Sequence, residues 1–226
     1  MIMRIVKNLS AALCLIITSS LVLQGCQDET LNEITDDDAK MVKRNKQLKD
    51  FETVVIKDDA DVRIHHGKNT STTIKAEKDD IDKVTVKVEE KELIVDIDQE
   101  QEELLHDDSY KIDVWVPTIE SVAVIGSGDL KCPAAVSDSS FNLDLAGSGD
   151  ANFGGKPNTD LTVYANGSGD IQFNGGGDQI SLNLNGSGDF TGESIAAEKT
   201  RIESKGSGDI DLQGSTGKFK INLDGS

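Results

Sequence analysis

The chain has 226 residues, of which 36% are apolar and 4% aromatic, and its formal charge is -18. That length can bury a core, but so few large side chains restrict it to a thin and regular one. A field of that sign repels phosphate backbones, so nucleic acid is set aside as a partner, while divalent cations and basic surfaces stay open.

The first residues read MIMRIVKNLSAALCLIITSSLVLQGC. Arg4 and Lys7 make a basic start, and the mostly apolar run from Leu9 to Leu23 is shorter than the ~20 residues of a bilayer span. This predicts a signal peptide over residues 1–25. Leu23-Gln24-Gly25-Cys26 resembles the lipobox of bacterial lipoproteins, which implies cleavage before Cys26 and lipid attachment to its thiol. Acyl chains at ~0.8 kcal/mol per buried methylene would make a firm membrane anchor. Position 27 is Gln and not the Asp associated with inner-membrane retention, and Asp28-Glu29 resembles the acidic tag of surface-exported lipoproteins. The expectation is an outer-membrane anchor, with the domain facing the periplasm or the cell surface. Cys14 leaves with the signal and Cys26 is acylated, so Cys132 has no disulfide partner left. Residues 26–50 are charged, offer little to bury, and read as a lipidated, flexible tether.

From Phe51 the pattern turns to period two. FETVVIK, ADVRIHH, TTIKAEK, KVTVKV, ELIVDID, YKIDVWV and IESVAVI are strand candidates bounded by Asp, Gly, Asn or Pro. Together they make residues 51–125 a β-rich N-terminal region, with the acidic stretch 99–108 as a surface loop.

Residues 126–226 repeat the word Gly-Ser-Gly-Asp at Gly126, Gly147, Gly167, Gly186 and Gly206, and Gly225-Ser226 begins it again. Aligned on that word, the copies show apolar columns. Leu130, Ala151, Ile171, Phe190 and Ile210 follow Asp directly, and Cys132, Phe153, Phe173, Gly192 and Leu212 come two later. Phe141, Leu161, Ile180, Thr200 and Phe219 lead two further columns before the next glycine. Polar columns alternate with them, from Asn142 to Lys220 and from Asp144 to Asn222. A period near 20 residues with columns in register predicts an all-β fold, a parallel β-solenoid whose coils stack at ~4.8 Å. Antiparallel hairpins turning at Asn166-Gly167 and Asn185-Gly186 are the rival, but they do not explain the columns.

Ten of the 21 glycines fall in the five words, as tight corners require. Stacked coils would align Asp129, Asp150, Asp170, Asp189 and Asp209 into one column of carboxylates. Exposed backbone amides could compensate them, or calcium could. The spacing is not that of the nonapeptide calcium roll, so the corner reading leads, and neither a metal nor a cofactor is assigned. No Gly-Lys-Ser/Thr opens a helix, which removes a phosphate loop. His65 and His66 are adjacent on a strand and read as surface histidines. Cys132 falls in an inward column and reads as core, and the face of Trp115 is left open.

Residues 51–226 resemble the putative auto-transporter adhesin, head GIN domain family. The carrying residues are Phe51, Val54 and Ile56, Asp61-Val62-Arg63-Ile64, Val114-Trp115-Val116-Pro117 and the Gly-Ser-Gly-Asp words. The resemblance implies a right-handed β-solenoid on a cell-envelope protein and brings no catalytic residues. The reading is a non-catalytic lipoprotein scaffold for adhesion or ligand binding, with a surface glycan or protein as partner. A β-helix carbohydrate-active enzyme and a calcium-dependent module are the alternatives.

Overall fold

The computed structural model describes residues 29–33, 41–97, 110–132, 139–156 and 159–225. Cys26, the signal peptide and the acidic loop lie outside them. The strands are β1 (Glu29–Glu33), β2 (Met41–Gln47), β3 (Thr53–Asp58), β4 (Val62–His66), β5 (Ser71–Glu77), β6 (Val84–Glu89), β7 (Glu92–Ile97) and β8 (Tyr110–Val116). They continue as β9 (Ser121–Gly126), β10 (Leu130–Cys132), β11 (Ser140–Gly147), β12 (Ala151–Gly154), β13 (Asp160–Gly167), β14 (Ile171–Gly186), β15 (Phe190–Gly206) and β16 (Ile210–Leu223). A short 3-10 helix, Ile81–Lys83, precedes β6.

Residues 121–223 form a β-solenoid of about five turns. One wall stacks β8, β4, β10, β12 and the start of β14, and the other stacks β7, β3, β9, β11, β13 and the end of β14, all in parallel. From β14 onward single strands of 14 to 17 residues run along both walls. Hairpins are thereby excluded: Gly126, Gly147, Gly167, Gly186 and Gly206 are register partners in succession. The apolar columns are the interior, and Leu143, Val163, Leu182 and Ile202 are fully buried. Each such side chain contributes about 1.5–3 kcal/mol by leaving water. Coil length varies because the far side of the coil absorbs it, at register shifts between Asn174 and Gly176 and between Gly192 and Ile195. At β16 the inner column residues Phe219, Ile221 and Leu223 are exposed.

The N-terminal region is built into the same stack. Val62 lies beneath Leu130 and Val54 beneath Val122, so β3 and β4 form a coil continuous with the repeat. The chain then descends to β7 and β8 on the far side of that coil before β9 returns to its upper side. Antiparallel strands close this end, with β6 on β7, β5 on β8 and β2 on β5.

The tether expectation is corrected at Glu29–Glu33, which pairs with β2, and at Met41–Gln47, which pairs with β5 along its whole length. Its inward positions are Val42, Arg44 and Lys46. Only Val42 is apolar and buried, while Arg44 donates to the Ile81 carbonyl oxygen at 3.3 Å and Lys46 to that of Val86 at 3.3 Å. Long cationic side chains that cover apolar surface with their stems while their heads find carbonyls leave no period-two hydrophobic signal.

Candidate functional site

The five repeat aspartates do come together. Asp150 N–H donates to Asp129 Oδ1 at 2.9 Å, and Asp170 to Asp150, Asp189 to Asp170 and Asp209 to Asp189 each at 2.8 Å. Each of the first four carboxylates, Asp129 to Asp189, thus accepts the amide of the coil above, a charge-assisted bond that offsets repulsion along the column. The ladder starts one coil earlier than the repeat: Asp129 N–H donates to Asp61 Oδ1 at 2.8 Å. Asp58-Asp59-Ala60-Asp61 therefore occupies the corner that Gly-Ser-Gly-Asp occupies above it, with Asp58 beneath Gly126.

The two glycines of a word answer two constraints. Gly167 has φ +157° and a Cβ there would lie 1.9 Å from the Gly147 carbonyl oxygen. Gly169 is excluded from carrying a Cβ by proximity alone, since that atom would lie 1.9 Å from the Gly149 carbonyl oxygen. Between them Ser168 N–H donates to the same Gly147 oxygen at 2.9 Å. The corner is backbone laid on backbone, with a carboxylate reaching upward. Among the described residues no group of three or more His, Cys, Asp or Glu side chains could hold a metal ion.

Outward from the walls the polar columns are in register, Asn142, Thr162, Ser181, Arg201 and Lys220 on one line and Asp144, Tyr164, Asn183, Glu203 and Asn222 on the next. On the other wall a cleft of about 350 Å³ opens where β8, β4 and β10 adjoin. It is lined by Asp61, Arg63, Lys111, Asp113, Asp129 and Lys131, together with Tyr110. Arg63, Lys111, Asp113 and Lys131 stand on outward positions of three neighbouring strands and Asp61 and Asp129 at the corners leading into two of them, while Val62, Ile112 and Leu130 are buried.

Beside the cleft, His65 and Trp115 are register partners whose rings stack at 5.0 Å between centroids and 18° between planes. His65 Nε2 lies 2.6 Å from Asp113 Oδ1, and Thr72 Oγ1 donates to the Asp113 carbonyl oxygen at 3.0 Å. Gly67 leaves room for the indole, because a Cβ there would stand 3.1 Å from Trp115 Cβ. His65 is thus no isolated surface histidine, and Trp115 faces outward. Each strand alone reads as ordinary alternation; only the pairing of β4 with β8, separated by a descent to the base, joins them. The nearest signal in the sequence is that ADVRIHH and YKIDVWV each put aromatic and charged residues at outward positions.

Cys132 is buried, and desolvation pushes its thiol up to about 12, so at neutral pH it is protonated and suited to packing. It stacks under Phe153, which meets Phe173 at 5.1 Å.

No curated protein matches the chain. Among solved structures it is similar to a putative adhesin from Bacteroides fragilis NCTC 9343, with TM-score 0.65 and 18% identity over 82% of this chain and 94% of that one. It is also similar to a putative lipid binding protein from Parabacteroides distasonis ATCC 8503, with TM-score 0.52 and 19% identity over 84% of this chain and 96% of that one. At such identities these likenesses speak for the fold. Residues 50–226 match the family described as putative auto-transporter adhesin, head GIN domain, and with its stacked coils and repeated corners the chain belongs to that family.

Proposed function

We propose that this protein is a non-catalytic, adhesin-like binding scaffold of the cell envelope, held to the outer membrane through lipid at Cys26. The observation that supports it best is the outer surface. Polar side chains stand in registered columns on one wall, and the other wall bears a charged cleft beside a stacked Trp115–His65 pair. A rigid sheet that repeats its polar groups suits recognition of an extended partner. Family membership and the adhesin-like neighbour agree with a surface role. The second neighbour, a putative lipid binding protein, keeps a lipid ligand in view for the same scaffold.

The test has two parts. Cells expressing the chain should display it to added protease and lose that display with Cys26→Ala. The purified protein should retain envelope glycans or proteins on a column without generating new reducing ends. Turnover of a retained polysaccharide would overturn the non-catalytic reading.

A further inference from the structure

The total charge is strongly negative, yet five cations gather on the face around the cleft, where its three carboxylates are matched by Arg63, Lys111 and Lys131. Lys43, Lys75 and Lys111 are direct register partners across β2, β5 and β8, and Arg63 and Lys131 are partners across β4 and β10. All five stand at outward positions: their inward neighbours Val42, Ala76, Ile112, Val62 and Leu130 are buried. Like charges opposite one another destabilise a sheet. Among the described residues none of the five is joined to a carboxylate in an ion pair. The fold therefore carries two offset rows of cations, with Asp113 the register partner of Arg63, and three of the five cations line the cleft.

We infer that this face binds an acidic polysaccharide, a pyranose chain bearing carboxylates, and the inference rests on the binding-scaffold reading above. Within each row the cations recur at the ~4.8 Å step between strands, which matches a polymer whose charges recur and not a single anion. Arg63 offers a planar fork to a carboxylate, and the lysines act as point charges. Asp61, Asp113 and Asp129, interleaved with the cations, accept hydrogen bonds from the sugar hydroxyls that lie between the carboxylates of such a chain. The Trp115–His65 stack at the edge of the cleft supplies the apolar surface against which a pyranose ring packs.

The experiment uses the full chain carrying Cys26→Ala, so that no acyl group contributes to vesicle binding. Its probes are polygalacturonate, dextran, and vesicles of phosphatidylglycerol. Polygalacturonate should bind, more weakly as salt rises, and the Lys75→Gln/Lys111→Gln pair should weaken it about tenfold while the circular dichroism spectrum is retained. Should that pair disturb the closing strands, Lys131→Gln, on a three-residue strand inside the stack, gives a second reading of the same loss. Dextran bound as well as polygalacturonate, capture by vesicles without polygalacturonate, or unchanged affinity in both folded variants would overturn the inference. Retention of a neutral glycan or an envelope protein would leave the scaffold reading standing and end this one; turnover of polygalacturonate would end the scaffold reading instead.

Discussion

The first coil and the repeat coils make the same corner with different words. In the repeat the corner is Gly-Ser-Gly-Asp; in the first coil it is Asp58-Asp59-Ala60-Asp61. Only the final Asp is kept. The difference separates two demands that the repeat alone merges. The glycines answer to the coil below, since a Cβ on either would strike the carbonyl beneath it, whereas the Asp answers to the coil above, whose amide it accepts. Beneath the first corner stand the side chains of Asp96 and Tyr110, whose hydroxyl donates to the Asp59 carbonyl oxygen. A Cβ is tolerated there, and Asp58 takes the left-handed φ of +53° without glycine.

The comparison can be broken hardest at the second glycine. Gly169→Ala should cost about 3 kcal/mol or more in urea unfolding, because the clash is with backbone that no rotamer can relieve. Ala60→Gly, its counterpart, should cost about 1 kcal/mol or less through chain entropy alone. Equal losses at the two sites would show that stacking does not explain the glycines.

Next come the aspartates. Asp61→Ala should cost about 2 kcal/mol, because its bond to Asp129 N–H is partly buried, and Asp170→Ala about 1 kcal/mol, because water can replace the lost acceptor at an exposed corner. Asn at either position keeps an oxygen and should lose less. Chelator should leave the melting temperature of the wild type unchanged; a fall would restore the calcium reading of the column.

The smallest effect is at Asp58. A hydrogen bond with Asp96 raises its pKa above the ordinary carboxylate value, with burial and the charges of Asp96 and Asp59 acting in the same direction. The folded state thus holds this proton more tightly than the unfolded chain does. The stability it brings is present at pH values below the unfolded value and is lost as pH rises through the raised one. Asp58→Asn, which has no proton to lose, should gain in melting temperature relative to wild type as pH goes from 4 to 7. A gap that does not widen would mean that the pair does not share a proton.

Much of the stack was legible because the repeat aligns itself. Once Gly126 and Gly147 are superposed, Leu130 falls on Ala151 and Phe141 on Leu161, and the structure pairs them so. The first coil was hidden because its corner had lost the glycines that mark the word, and its Asp61 lies 68 residues from the Asp129 it serves. β2 was hidden because Arg44 and Lys46 fill inward positions. The cleft was hidden for a third reason. Arg63, Asp113 and Lys131 become neighbours only through a chain path that passes below the first coil and back above it, and no local period records that path.

One consequence of the corner concerns how such a rod changes length. Because each word looks down with its glycines and up with its carboxylate, a block cut from one word to the next has matching ends. Duplicating or deleting such a block joins like to like and alters the rod by ~4.8 Å. An insertion of any other size must be taken up on the far side, where the register already slips. Growth by whole floors is therefore the path of least resistance, and the reach of the molecule can be tuned in discrete steps while its foundation stays untouched.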